Sequence, residues 1–296
     1  MAAFTLAHLS DPHLPLLPRP GRADLTGKRA LGYLNWTRHR QYVHRRDVLD
    51  VLVSDMQAQV PDQIAVTGDL VNLALEAEFP PARAWLESVG TPDRVTVIPG
   101  NHDAYVRATQ HRSAQSWEDF LRGDDTQGSG LAFPALRRRG PLALIGTSSA
   151  VPTPPFMATG WLGRPQLDAL EQMLAALAAE QVFRVLLIHH PLRSNSRIKR
   201  LTDSAALLAL LQRHGVELVL HGHDHVHSTI WIEGPQGKIP VVGVPSASAV
   251  AHGRYPAAAY NLFSIARDGA AWRCQHTVRG IDEARRVRQI RQTILL

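Results

Sequence analysis

The sequence is poor in cysteine, in lysine and in long apolar segments. Cys274 is the only cysteine, so no intramolecular disulfide can form, and we expect a reducing compartment, the cytoplasm. No apolar run reaches the roughly 18 residues that a membrane-spanning helix requires. The N-terminus also lacks the basic segment and long apolar core of a signal peptide. These absences exclude a disulfide-stapled domain and favour a globular cytoplasmic protein.

Basic residues are in excess, and nearly all of them are arginine. Lys and Arg number 32 against 26 Asp and Glu, a formal net charge of +6, and Lys occurs only at Lys28, Lys199 and Lys238. Arginine favours two-point contact with phosphate and carboxylate groups. The charge balance suits an anionic substrate, a nucleic acid or an anionic membrane surface. Nucleic acid is not expected as a partner, because aromatic residues are not interleaved with the basic runs as stacking platforms would require.

Apolar patterning predicts one domain over residues 1–296, in which strands and helices alternate at first and strands dominate later. The predicted strands are 4–9, 64–67, 95–98, 142–146, 184–188, 217–220, 226–232, 239–244, 259–265 and 271–277. The predicted helices are about 42–59, 76–89, 114–121, 166–180 and 204–214, the last with Asp203 as its N-cap.

Three further features interrupt or follow this pattern. A polar, Arg-rich insertion covers 14–46, and a cap or loop region covers 104–130, with a turn at 124–130. A basic amphipathic helix is predicted at about 281–296. Such a helix would lie on an anionic membrane surface or pack against the body of the protein or a second subunit. Peripheral membrane contact and a homo-oligomer therefore both stay open.

Five of the predicted strands end in side chains that can bind a metal ion. These ends are Asp11-Pro12-His13, Gly68-Asp69, Gly100-Asn101-His102-Asp103, His189-His190-Pro191 and Gly222-His223-Asp224-His225. Asn, His and Asp are costly to bury without partners, so their value at these positions is chemical. Active sites of α/β sheets lie at the carboxyl ends of the strands. We therefore expect the five ends to converge on one pocket.

The types of these residues indicate which metals they would bind. Asp and Asn oxygens mixed with His nitrogens suit Mn, Fe, Co or Zn better than Ca²⁺ or Mg²⁺. Seven plausible ligands are too many for one ion but suit two ions roughly 3.5–4 Å apart that share a carboxylate. We predict a cofactor of two divalent or trivalent transition-metal ions, namely Mn, Fe or Zn.

In their order, the five motifs resemble those of the calcineurin-like metallophosphoesterases. The pattern of that superfamily is Asp-x-His, Gly-Asp, Gly-Asn-His-Asp/Glu, His and Gly-His-x-His, and every block is present between residues 11 and 225. The segments 68–72 and 189–191 look like the bacterial branch of class III cyclic-nucleotide and glycerophosphodiester phosphodiesterases. The insertion at 14–46 departs from the shorter members of that branch.

The resemblance implies both a fold and a set of site residues. The fold is an α/β metallophosphoesterase sandwich, αββα, of two mixed sheets flanked by helices. The implied ligands of the first metal are Asp11, His13, Asp69 and His225, and those of the second are Asp69, Asn101, His189 and His223, with Asp69 bridging. The resemblance also implies that His102 is catalytic and lies just outside the metal ligands, oriented by Asp103.

The implied activity is metal-dependent hydrolysis of a small anionic phosphoester, and we expect a phosphodiester. Two cations would lower the pKa of a bound water from about 15.7 towards 7, and a hydroxide held between them would attack phosphorus in line. His102 would stabilise or protonate the leaving oxygen. One alternative is hydrolysis of a pyrophosphate bond in a nucleotide-lipid such as UDP-diacylglucosamine. Another is a non-catalytic scaffold with the same fold, which the intact ligand set disfavours.

Overall fold

The computed structural model describes residues 3–15, 17–109, 111–124, 131–269 and 271–296. The described helices are α1 Gly27–Asn35, α2 Gln41–Val43, α3 Arg46–Ala58, α4 Phe79–Val89, α5 Arg112–Ser116, α6 Glu118–Leu121, α7 Arg164–Leu177 and α8 Ser204–His214. The described strands are β1 Phe4–Leu9, β2 Gln63–Val66, β3 Val95–Val97, β4 Ala135–Arg139, β5 Leu142–Gly146, β6 Phe183–Leu187, β7 Leu218–His221, β8 Ser228–Gly234, β9 Gly237–Gly243, β10 Ala259–Asp268, β11 Ala271–Ile281 and β12 Val287–Ile294. No helix among these residues is long and apolar enough to cross a bilayer.

The strands form two mixed sheets of six strands each. The first sheet has the order β12-β11-β10-β1-β2-β3, and the second has the order β4-β5-β6-β7-β9-β8. Strands β1, β2 and β3 run parallel to one another, as do β5, β6, β7 and β9. Parallel neighbours end at the same edge of a sheet, so the loops after β1, β2 and β3 lie together, and so do those after β6 and β7.

Alternate residues of the central strands face two different cores, as the two-residue period of a strand requires. In β1, Leu6 packs between the sheets, whereas Leu9 packs under α3 and α4. In β6, Leu187 packs between the sheets, whereas Leu186 packs against α7 and α8. The layers are therefore helices, sheet, sheet and helices, and the predicted αββα sandwich of two mixed sheets is confirmed.

The predicted helix at 281–296 is wrong. Residue Ile281 ends β11, and Val287–Ile294 form β12, an antiparallel edge strand paired with β11. The apolar residues had a helical spacing, but Val, Ile and Thr are β-branched and favour strands. The open edge of β11 also offers backbone partners, so tertiary pairing outweighs the local pattern. The argument for an interfacial helix on lipid loses its basis.

The two irregular regions predicted from the sequence, 14–46 and 104–130, both contain short helices. The insertion forms α1, a π-helical turn at Trp36–Arg40 and α2, and the predicted helix at 42–59 is interrupted at His44, which is extended. In the second region, Trp117 and Phe120 are buried beneath α4, so this part belongs to the body of the domain. The predicted turn at 124–130 falls mostly outside the described residues.

Candidate metal centre

The seven predicted ligands lie on the loops that follow β1, β2, β3, β6 and β7. Five of them have backbone φ angles in the left-handed region, namely Asp11 (52°), His13 (35°), Asp69 (58°), His223 (70°) and His225 (55°). A non-glycine residue in this region costs roughly 1–3 kcal/mol and persists only where its surroundings fix it. Tight loops of this kind turn the side chains inward across the strand ends.

The structure brings all seven side chains together in one cluster. His13 Nε2 lies 3.3 Å from His225 Nε2 and 3.7 Å from an Asp69 oxygen. On the other side of Asp69, His189 Nε2 lies 3.4 Å from the same carboxylate oxygen, 3.2 Å from Asn101 Oδ1 and 3.3 Å from His223 Nδ1. Atoms bound to one ion at about 2.1 Å are themselves about 3.0–3.5 Å apart. The spacing therefore fits metal ligands.

Hydrogen bonds on the outer side of the cluster fix the orientation of two rings. His13 Nδ1 lies 3.3 Å from the Val71 carbonyl, and His189 Nδ1 lies 2.6 Å from the Thr67 carbonyl. A carbonyl only accepts, so each Nδ1 carries a proton, and Nε2 is the nitrogen that faces the cluster and is left to bind an ion. Metal-binding histidines are typically held in this way. His223 Nε2 is buried and has no partner among the described residues.

The buried carboxylates of Asp11 and Asp69 attract cations to the cluster. Burial alone would lower the pKa of His189, but Asp69 and Asp11 outweigh it and raise that pKa to about 10. Burial alone would raise the pKa of Asp11, but His225, 3.0 Å away, keeps it below its ordinary value. The carboxylates thus favour positive charge next to them, and two metal ions would supply it.

Two motif glycines allow the loops to approach this closely. A Cβ atom on Gly222 would lie 1.9 Å from Ser10 Oγ and 2.4 Å from Asp11 Oδ2. A Cβ atom on Gly100 would lie 2.2 Å from Asp69 Oδ1. Any larger residue at either position would displace a carboxylate of the cluster.

The Asp103 carboxylate accepts hydrogen bonds from backbone N–H groups and not from the His102 ring. The donors are the N–H groups of Asp69, Leu70, Val71 and Gly100, at 2.8–3.2 Å. The expectation that Asp103 orients His102 is therefore corrected, because it fixes the loops that carry Asp69 and Asn101. Burial and the Asp69 charge raise the pKa of Asp103 to about 7, and the N–H donors oppose that shift.

His102 is oriented by other groups. Its Nδ1 lies 2.5 Å from the Asn72 carbonyl, and its ring stacks on Tyr105 with 5.1 Å between centroids. Its Nε2 lies 3.2 Å from Nη1 of Arg40, a residue of the insertion. Burial and the Arg40 charge lower the pKa of His102 to about 3. The ring is therefore neutral at pH 7, with a proton on Nδ1 and a lone pair on Nε2.

The cluster opens into a cavity of about 360 Å³, and most of the residues that line it are basic or polar. The insertion contributes Asn35, His39, Arg40, Val43 and His44 to its lining, and later loops contribute Ala158, Lys199, His252 and Tyr255. A larger hollow of about 500 Å³, near Arg184 and Trp272, is lined by none of the predicted ligands. Of these two cavities, the smaller one is therefore the one at which the predicted ligands lie.

Sequence reasoning missed Arg40 and His44 as residues of the cavity. Both lie in the insertion, and neither follows an apolar run, which was the pattern that identified the other five loops. Their local context is a run of basic residues, which is usually a solvated surface. Only the fold of the insertion over the strand ends reveals their position.

Comparison with known proteins identifies the family. The profile of the calcineurin-like phosphoesterases matches residues 4–227, and the chain belongs to this family. The αββα sandwich and the cluster at its strand ends are consistent with that assignment. No curated protein sequence gives a significant match.

Several solved structures share the fold at low sequence identity. A dimetal phosphatase from Danio rerio has a TM-score of 0.63 and 13% identity, covering 100% of this chain and 99% of that one. Purple acid phosphatase PPD1 from yellow lupin, Lupinus luteus, has a TM-score of 0.64 and 11% identity, covering 99% and 53%. GAP50, the anchor in the inner membrane complex of Plasmodium, has a TM-score of 0.53 and 12% identity, covering 99% and 88%. Enzymes and an anchor share this fold, so function must be argued from the site.

Proposed function

We propose that this protein is a metal-dependent phosphodiesterase that uses two transition-metal ions, Mn, Fe or Zn. The observation that carries the proposal is the convergence of all seven predicted ligands at ligand-to-ligand distances. A scaffold without catalytic activity would have no need to keep this set of buried polar side chains. Two bound cations would neutralise phosphate charge and lower the pKa of a bound water.

Asp69 is the residue that we assign to both ions. Its carboxylate belongs to one group with His189 and His223 and to another with His13 and His102, in each of which the ligand atoms lie within 4.8 Å of one another. The backbone N–H of His102 donates to the same carboxylate at 2.7 Å. Asp69 would therefore hold the two halves of the cluster at a fixed separation.

Arg40 and Lys199 would bind the anionic substrate from two walls of the cavity. Both line it, and both come from segments outside the seven-ligand cluster. Arg40 forms no salt bridge with a carboxylate of the described residues, so its guanidinium is available to a phosphate oxygen. Charge-assisted contacts of this kind are about twice as strong as neutral ones.

His102 would act on the leaving oxygen. Its ring is neutral while Arg40 contacts Nε2, because the Arg40 charge and burial both disfavour the protonated form. A phosphate that engages Arg40 brings negative charge to the ring, which favours protonation. The ring would then hold a proton on Nε2, next to the cavity where charge develops on the leaving oxygen.

A diester is favoured over a monoester by the walls of the cavity and by the motifs. The insertion and the loops that carry Lys199 and Tyr255 offer surface for an organic group on either side of a bound phosphate. The resemblance of residues 68–72 and 189–191 to class III phosphodiesterases supports the same choice. We therefore place a small anionic phosphodiester in this cavity.

A second candidate is a pyrophosphate hydrolase that acts on a nucleotide-lipid. Leu34, Phe156 and Ile198 are exposed by 44%, 80% and 50%, and each lies within two residues of a residue that lines the cavity. Lys28, which lies in the same helix as Leu34, donates hydrogen bonds to Thr153 Oγ1 and to the carbonyl of Met157, the residue after Phe156. These contacts join the segments that carry Leu34 and Phe156. An apolar rim around a basic cavity suits a substrate with acyl chains.

The test is turnover of bis(p-nitrophenyl) phosphate against p-nitrophenyl phosphate and UDP-diacylglucosamine, on chelated protein to which Mn²⁺ is returned. We expect Mn²⁺ to restore hydrolysis, with the diester cleaved faster than the monoester. Preferred cleavage of UDP-diacylglucosamine would support the second candidate instead. Protein that binds two metal ions but cleaves none of the three would contradict both candidates.

A further inference from the structure

His44 lies beside the first predicted metal site, although no motif of the family pattern contains it. The ligand atoms of His13, His44 and His225 all lie within 4.8 Å of one another. The ring centroid of His44 is 4.7 Å from that of His13 and 6.0 Å from that of His225. His44 is 3% exposed, so it is more buried than the predicted ligand His225, whose side chain is 20% exposed.

The ring of His44 is held in the manner of a metal-binding histidine. Its Nδ1 lies 2.9 Å from Ser248 Oγ and 3.3 Å from Ser246 Oγ. Ser246 Oγ in turn donates to the Asp11 carbonyl at 2.6 Å, which ties His44 to a predicted ligand loop. The remaining nitrogen, Nε2, has no hydrogen-bond partner among the described residues, and the ring lines the cavity.

Other histidines near the cluster lack this arrangement. His190 uses both nitrogens, with Nδ1 at 2.8 Å from Ser149 Oγ and Nε2 at 3.2 Å from the Ala158 carbonyl. His102 likewise has Asn72 on one nitrogen and Arg40 on the other. His44 therefore groups with His13 and His189, whose Nδ1 atoms are tied outside the cluster and whose Nε2 atoms face it.

Backbone hydrogen bonds fix the position of His44. Its N–H donates to the Arg40 carbonyl at 2.9 Å. The neighbouring Arg45 N–H donates to the Ser248 carbonyl at 2.8 Å, and the Val250 N–H donates to the Val43 carbonyl at 2.9 Å. The insertion is thus fastened to the loop after β9, which keeps the backbone of His44 next to the cluster.

We propose that His44 is an additional ligand of the first metal ion, through Nε2. The inference rests on the proposed metal centre and adds a third imidazole to Asp11, His13, Asp69 and His225. The second site would keep two imidazoles and the Asn101 amide. Imidazole suits Zn and Fe, whereas carboxylate and carbonyl oxygens suit Mn. The two sites would therefore differ in metal preference, with the nitrogen-rich first site favouring Zn or Fe.

The first test is metal affinity in His44→Gln, with His214→Gln as the control, a half-buried histidine of α8 that does not line the cavity. Competition between the protein and a chromophoric chelator for Zn²⁺ measures each binding step. Loss of an outer-shell partner costs roughly 10- to 100-fold in metal affinity, and we expect loss of a ligand to cost at least as much at one site. The second site of His44→Gln, and both sites of His214→Gln, should bind as in the wild type.

The second test uses His44→Cys loaded with Co²⁺. A thiolate bound to cobalt gives a charge-transfer absorption band in the near ultraviolet, which a merely structural residue cannot produce. The only native thiol, Cys274, is buried between the sheets, so the wild type serves as the blank. A band in His44→Cys, absent from the wild type, is the expected result.

The outcomes distinguish this inference from the proposed function. If His44→Gln binds both Zn²⁺ ions as tightly as the wild type, His44 is not a ligand. Because a Cys side chain is shorter than a His side chain, a missing band in His44→Cys counts against His44 only together with that result. If the wild type itself binds no metal, the proposed function fails as well.

Discussion

The guanidinium of Arg40 lies against the ring of His102, with Nη1 3.2 Å from Nε2 and 3.4 Å from Nδ1. Arg40 belongs to the π-helical turn of the insertion, whereas His102 belongs to the Gly-Asn-His-Asp motif. Burial lowers the pKa of Arg40 from its ordinary value, but the group stays charged. A cation from the insertion thus meets a side chain of the family motif at the cavity.

Arg40→Gln should weaken substrate binding without emptying the metal centre. A hydrogen bond to a charged group contributes about 1.5–3 kcal/mol, so KM for bis(p-nitrophenyl) phosphate should rise about 10- to 100-fold. Bound metal, measured by elemental analysis, should stay at the wild-type level.

Arg38→Gln is the matched control for this change. Arg38 lies in the same π-helical turn but is exposed, and it does not line the cavity. Its KM should match the wild type. An equal rise in both variants would mean that only the overall charge of the surface matters, and Arg40 would have no specific role.

Asp69→Ala should remove bound metal and activity together, because both halves of the cluster depend on this carboxylate. Metal content after dialysis and turnover of bis(p-nitrophenyl) phosphate measure the two losses. Asp50→Asn, an exposed carboxylate paired with Arg46 on α3, is the control and should retain both. Retention of two tightly bound ions in Asp69→Ala would rule out a bridging role.

His102→Ala should keep the metal ions and lose rate. General acid assistance contributes roughly 10²–10⁴-fold, and the loss should be greater for an alkyl diester than for bis(p-nitrophenyl) phosphate, whose leaving group needs less help. Single-turnover kinetics with both substrates, alongside metal analysis, separates the effects. If the variant loses metal instead, His102 is a ligand and its catalytic assignment is wrong.

Asp55 should contribute to stability in a pH-dependent way. It accepts hydrogen bonds from Arg279 Nε at 2.8 Å, Arg279 Nη2 at 2.7 Å and the Tyr260 hydroxyl at 2.7 Å, which fasten α3 to β10 and β11. Burial alone would raise the pKa of Asp55, but these hydrogen bonds outweigh it and lower the pKa. Asp55→Asn should lower the free energy of unfolding by about 2 kcal/mol at pH 7.

The sign of the pH dependence follows from the lowered pKa. The stabilisation is complete above the unfolded-state pKa of about 4 and is lost as pH falls through the folded-state value. Urea unfolding of wild type and Asp55→Asn should therefore differ most at pH 6–8 and converge in acid. In Asp50→Asn, the loss of an exposed pair should cost about 0.5 kcal/mol or less. A constant gap from pH 7 to pH 3 would contradict the ionic account of Asp55.

Much of the architecture could be predicted because it depends on local patterns. The apolar runs before Asp11, Asp69, Asn101, His189 and His223 are short and end at polar residues, and each proved to be a buried strand. Parallel strands then bring their carboxyl ends to one edge of each sheet, and these two edges meet at the cluster. The two-sheet sandwich itself came from the family resemblance.

The features that the sequence did not predict depend on contacts between residues far apart in the chain, which a local pattern does not specify. Residues 287–294 have apolar spacing that suits a helix, but the unpaired edge of β11 makes a strand more stable. Arg40 and His44 lie in a segment without an apolar run, and only pairing with the loop at 246–250 carries them to the cavity. Asp103 binds four backbone N–H groups that no sequence motif specifies.

The position of β1 has a consequence for how the protein is made. During synthesis, β1 emerges before the other described strands, yet one of its two edges pairs with β10, through contacts such as Phe4 with Ile265. That edge stays open until β10 has been synthesised, and open β edges invite pairing with other chains. Nascent or prematurely terminated products should therefore aggregate easily and depend on chaperones. A fragment that stops before β10 would not be expected to bind metal, although all seven predicted ligands lie upstream of it.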